Sequence, residues 1–138
     1  MNRPNPSWPV SDPHKSTILV VEDNSVVRTT LSEMVEQLGF DVLQANNASE
    51  ALYLLTHHPQ VELLISDVVL RGGMNGVDLM LQVERYNLGL PSMLISGFDL
   101  QEVQMLTHTP QAIPLLRKPF SLRQLRAEIL KFLGSISG

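Results

Sequence analysis

The sequence predicts an α/β domain: a five-stranded parallel sheet, doubly wound, with helices on both faces. Three observations carry that prediction. From Thr17 onward, five short apolar runs alternate with five segments of helical periodicity. The alternation implies right-handed crossovers between parallel strands. The chain has 138 residues, 43% apolar and 17% charged, which suits one compact domain with its own core.

The elements follow in order. Met1–Ser16 carries Pro4, Pro6, Pro9 and Pro13 among polar residues, and reads as a flexible tail with Trp8 as an incidental surface aromatic. The domain itself spans 17–133, and 134–138 is a short C-terminal tail. Thr17–Val21 is a buried strand by its β-branched content. Asn24–Leu38 is a helix, with Val27, Leu31, Met34, Val35 and Leu38 on one face and Gly39 as its stop. Phe40–Ala45 is the second strand. Asn47–Thr56 is a helix whose Asn47 and Glu50 are spaced like a capping box. Val61–Ser66 is the third strand. Gly76–Arg85 is a helix after a glycine-rich loop. Ser92–Ser96 is the fourth strand, reached through Pro91. Leu100–His108 is a short helix ended by Pro110, and Ala112–Leu116 is the fifth strand. Leu122–Leu133 is the last helix, with a capping box from Ser121 and Gln124 and a staple of Phe120 on Leu125. Leu122, Leu125, Ile129 and Phe132 form its inner face.

Open parallel sheets bind ligands beyond the carboxyl ends of their strands. Those ends carry Glu22-Asp23, Asp67, Ser96-Gly97 and Lys118-Pro119. Three carboxylates meeting in one crevice repel each other unless a cation lies between them. Acids, hydroxyl and lysine together suit a divalent metal and a phosphoryl group. The crowding also predicts that Asp23→Asn stabilises the metal-free fold.

Composition excludes several classes. The formal charge is −4, which argues against general nucleic-acid binding. There is no cysteine, hence no disulfide, thiolate or Cys-based zinc chemistry. No apolar run is long enough to cross a membrane, and the N-terminus lacks a signal-peptide core. A cytoplasmic protein is the expectation. His57, His58 and His108 lie near helix ends and read as solvated surface residues.

The ordered set Ile18-Leu19-Val20-Val21-Glu22-Asp23-Asn24, Asp67-Val68-Val69-Leu70, Met93-Leu94-Ile95-Ser96-Gly97 and Lys118-Pro119-Phe120 resembles the receiver domain of bacterial two-component response regulators. The resemblance spans roughly Thr17 to Leu133. It implies a flavodoxin-like (βα)5 fold with strand order 2-1-3-4-5. It implies that Asp67 is a phosphoacceptor, receiving its phosphoryl group from a histidine kinase, a histidine phosphotransfer protein or a small phosphodonor. It implies Mg²⁺, with Mn²⁺ as a substitute, on Glu22, Asp23, Asp67 and the backbone carbonyl of Val69. Ser96 resembles the hydroxyl that bonds a phosphoryl oxygen, and Lys118 the lysine that pairs with its charge, while Pro119 suits the cis form seen in this family. The chain would assist its own phosphorylation and dephosphorylation without being an enzyme in the ordinary sense.

Two departures stand out. The loop after Asp67 usually has a proline four residues on; here it is Arg71, and the loop is one residue longer, as in receivers of hybrid sensor kinases. Three residues before Lys118 the family usually has an aromatic; here it is Leu115, which puts the usual relay from Ser96 in question. No helix-turn-helix or catalytic module follows the last helix, so the expectation is a single-domain receiver, or one separated from a larger architecture, that acts by contact with a downstream protein. Three alternatives compete. A non-cycling interaction module gains weight from Leu115. A Mg²⁺-dependent aspartyl-phosphate phosphatase would want an acid where Val69 stands. A flavodoxin would need a phosphate-cradling loop after the first strand.

Overall fold

The computed structural model describes residues 15–86, 89–109 and 112–134. The expected N-terminal tail up to residue 14, Trp8 with it, and the last four residues lie outside the described residues.

Ten elements alternate strictly. They are β1 (Thr17–Val21), α1 (Ser25–Gln37), β2 (Asp41–Ala45), α2 (Ala48–His57), β3 (Val61–Asp67), α3 (Gly76–Tyr86), β4 (Ser92–Ser96), α4 (Leu100–Thr107), β5 (Leu115–Arg117) and α5 (Leu122–Leu133). All strand pairs are parallel, and the sheet order is β2-β1-β3-β4-β5. This is the flavodoxin-like order that the sequence resemblance implies.

The pleat divides the core. On β1, Ile18 and Val20 point to one face and pack with Leu31 and Val35 of α1 and Leu125 and Ile129 of α5. Leu19 and Val21 point to the other face, against Ala48 and Ala51 of α2 and Leu79 and Val83 of α3. A smaller cluster joins Leu94 and Ile113 to Val77 and Met80 of α3 and Val103 of α4, with Leu115 packed against it. Each side of the sheet thus has its own apolar layer, as near-continuous apolar strands require.

Helix starts follow cap chemistry. Asn24 caps α1 by accepting from the Val26 and Val27 N–H groups. Ser121 and Gln124 close a full capping box on α5, and Asp99 with Glu102 close one on α4 that the sequence reading did not single out. On α2 the box is displaced: Asn47 caps Glu50 N–H, but Glu50 Oε1 accepts from Asn46 N–H rather than from Asn47.

Three expectations need correction. The fifth strand covers Leu115–Arg117, not Ala112–Leu116, because Pro114 has no N–H to give to a ladder and pairing starts only after it. Leu122 and Val27 are both partly exposed at 38%, so the inner faces of α5 and α1 are narrower than their periodicity suggests. Phe40 is buried in the core just before β2, not within it.

Gly76 opens α3 and lies directly against the end of β3. Its N–H donates to Val68 O at 2.7 Å, and a β-carbon there would collide with the carbonyl oxygen of Asp67. Gly76→Ala should therefore destabilise the fold by about 2 kcal/mol, the usual scale of a forced backbone shift. Denaturant unfolding checks this, and a native midpoint would show that the loop yields freely.

Candidate functional site

The site is built where β1, β3, β4 and β5 end. Glu22 follows β1 directly and is 4% exposed. Its N–H donates to Ala45 O at 3.1 Å, and its carbonyl accepts from Arg28 Nη1 at 2.7 Å. Its carboxylate Oε2 accepts from the Asn24 N–H at 2.9 Å. Burial pushes the Glu22 carboxyl up to about 7, with Asp67 and Asp23 alongside adding to the rise and the Asn24 bond opposing it.

Asp23 behaves in the opposite way. Hydrogen bonding with Glu22 holds its carboxyl below the usual range, and the Arg71 guanidinium adds to that, against a smaller effect of burial. Arg71 Nε lies 3.4 Å from Asp23 Oδ2. Of the two adjacent acids, Glu22 carries the raised carboxyl, and Asp23 is one of the neighbours that raise it.

Asp67 ends β3. Its Oδ1 accepts from the Val69 N–H at 3.0 Å, and its Oδ2 accepts from Lys118 Nζ at 2.7 Å. The same ammonium lies 3.7 Å from Glu22 Oε1. Lys118 is placed by its own backbone: its N–H donates to Ser96 O at 2.8 Å, and the Lys118-Pro119 bond is cis. A small cavity of about 30 Å³ lies under these groups, lined in part by Glu22, Val27, Asp67, Lys118 and Phe120.

The structure thus brings Glu22, Asp23, Asp67 and Lys118 together, with a protein cation facing the acids. Val69 is in the adjoining loop and exposed. Ser96 is buried, but its Oγ accepts from the Phe98 N–H at 2.8 Å, which is local turn chemistry. Among the described residues no bond joins that hydroxyl to Asp67 or Lys118. Nor do three acidic or histidine side chains among them form a group that could hold a metal ion by themselves. Mg²⁺ does not require such a cage, since it keeps several waters and takes one or two carboxylates. The donors at hand are hard oxygens, which fit it.

Three arginine contacts were not among the expectations from sequence. Arg28 reaches back from α1 to the Glu22 carbonyl, and Arg71 pairs with Asp23. Arg117 Nη2 donates to Gly97 O at 3.0 Å, tying the end of β5 to the loop after β4. Only Arg28 leaves a sequence trace, one helical turn after the cap Asn24. The other two contacts are long-range and have none.

Fold and crevice together define a receiver-type α/β module. The chain matches the family "Response regulator receiver domain" over residues 18–130 and belongs to that family. It is 32% identical over 116 residues to the response regulator receiver protein CpdR of Brucella abortus, covering 84% of this chain and 95% of that protein. It is 34% identical over 109 residues to the aerobic respiration control protein ArcA of Escherichia coli, covering 78% of this chain but only 44% of that one. Among solved structures it is similar to the receiver domain of the hybrid histidine kinase CckA, at TM-score 0.68 and 29% identity, covering 85% of this chain and 98% of that chain. Among the described residues no helix is long and apolar enough to cross a membrane.

Proposed function

We propose that this receiver domain is a phosphoacceptor in a two-component phosphorelay. An Asp67 carboxylate oxygen attacks the phosphorus of a phosphohistidine on a histidine kinase or histidine phosphotransfer protein. The P–O bond forms, the P–N bond breaks, and the electron pair leaves on the imidazole nitrogen. The resulting acyl phosphate changes affinity for a downstream protein. A cytoplasmic setting suits such partners.

The observation that carries this reading is the contact of Lys118 Nζ with Asp67 Oδ2, beside the buried Glu22. A compact ammonium at that point faces the charge a phosphoryl group would bring. Glu22, Asp23 and the carbonyl of Val69 would hold Mg²⁺, or Mn²⁺ in its place, with Asp67 beside it. The ion supplies charge compensation for the transferring group. Ser96 Oγ accepts from the Phe98 N–H and can still donate its own O–H to a phosphoryl oxygen. Because Phe98 N–H is tied to the same hydroxyl, a Ser96 bond to the phosphoryl group would draw in the loop leading to α4, which Arg117 also holds.

The test is incubation with a small phosphodonor and Mg²⁺, followed by mass spectrometry. One base-labile phosphoryl group on Asp67 is expected. An unlabelled chain would instead be a non-cycling interaction module. A second measurement addresses the output. With beryllofluoride as phosphoryl mimic, amide NMR shifts should concentrate in residues 97–107 and in the Arg71–Gly76 loop. Changes confined to Leu115 and Leu116 would contradict a response routed through Ser96.

A further inference from the structure

We propose that Arg71 is an intramolecular counter-ion that occupies Asp23 ahead of the divalent cation and thereby sets the Mg²⁺ affinity of the crevice. The inference rests on the metal assignment above.

The two adjacent acids are engaged differently. Glu22 is held by the Asn24 N–H and faced by Lys118. Asp23 is the more open of the two, with its side chain 19% exposed, and its Oδ2 faces Arg71. Arg71 stands in the loop from β3 to α3, just before two glycines in left-handed backbone conformation, Gly72 at φ 97° and Gly73 at φ 93°. Side chains rarely adopt that conformation, so the glycines allow a chain reversal beside Arg71. A proline at 71, the residue the family usually has there, would carry no charge at all.

The contact is made to be displaced. The guanidinium approaches through Nε at 3.4 Å, and the Arg71 side chain is in solvent at 91% exposure. A bidentate, buried pair would lock Asp23; this one does not. A divalent ion that takes Asp23 Oδ2 must move the guanidinium or share the oxygen with it. Exposed pairs of this kind change an equilibrium by up to about fivefold. The loop that carries Arg71 also carries Val69, whose carbonyl is assigned to the same ion. Metal binding and loop position are thereby linked at Arg71.

The experiment is a calorimetric Mg²⁺ titration of the unphosphorylated chain, native and Arg71→Gln. Arg71→Gln should bind Mg²⁺ about two- to fivefold more tightly. Loss of a distant positive charge would also tighten binding, so a cycle with Asp23→Asn in EDTA separates contact from field. Arg71→Gln should lower the metal-free melting temperature by about 2 °C in the native background and leave it unchanged in Asp23→Asn. Equal Mg²⁺ affinity in native and Arg71→Gln chains overturns the inference, as does an equal thermal effect in both backgrounds. A native chain whose melting temperature saturating Mg²⁺ does not raise overturns the metal assignment beneath it.

Discussion

Asp67→Asn should take up no phosphoryl group from a small phosphodonor, under conditions that label the native chain fully. The amide keeps the size of the carboxylate but removes the charged oxygen that attacks phosphorus. Lys118→Ala should act differently. It leaves the nucleophile in place and removes the ammonium 2.7 Å from Asp67 Oδ2. Loss of one preorganised charge partner typically costs about a hundredfold in rate, so labelling should be slow rather than absent. Time-resolved mass spectrometry separates the two variants. Full labelling of Asp67→Asn would show that the phosphoryl group goes elsewhere, and an unslowed Lys118→Ala would remove the lysine from the chemistry.

The second large effect is on stability without metal. Glu22 has its carboxyl raised from 4.5 to about 7 in the fold, so over that range the native state holds a proton that the unfolded chain has released. Stability is then fully present below pH 4.5 and falls as pH rises towards 7. At about 1.4 kcal/mol per pH unit the loss approaches about 3 kcal/mol, or about 10 °C in melting temperature for a domain of this size. Asp23 has the opposite sign, since its carboxyl is lowered from 3.8; its contribution is lost only as pH falls below that value. The two windows do not overlap. Thermal melts in EDTA between pH 5 and 8 should slope downward for the native chain and run nearly flat for Glu22→Gln, which should be the more stable at pH 8. The same slope in both would mean that other groups govern the titration.

The order of elements and the location of the crevice were legible because they follow from local patterns. Apolar runs of five to seven residues ending in Glu22, Asp67 and Ser96 fix where the strands stop, and parallel topology gathers those ends on one edge. The capping residues Asn47 and Ser121 were legible for the same local reason. What the chain order hid was decided by contacts distant in sequence. Nothing near Asp23 marks Arg71 as its partner, and nothing near Glu22 shows that burial will raise its carboxyl while Asp23 is lowered. Ser96 was legible as a hydroxyl at a strand end, but its bond to Phe98 is set by the local turn. The fifth strand was misjudged because apolar character at Ile113 outweighed the missing donor of Pro114. Ile113 does bury itself, in the cluster under α4, without joining the ladder.

The brevity of β5 bears on how this molecule meets others. It pairs with β4 through Leu115, Leu116 and Arg117 alone, and it is one border of the sheet. A three-residue border presents few unpaired amides and carbonyls, and Pro114 on one flank and Pro119 on the other add no N–H donors. Such a rim is a poor template for a foreign strand, whether from a second copy or from a fibril. Association by continuing the sheet across this border is thereby discouraged, and on this side of the molecule recognition is left to helices and loops, which can be rearranged without opening the sheet.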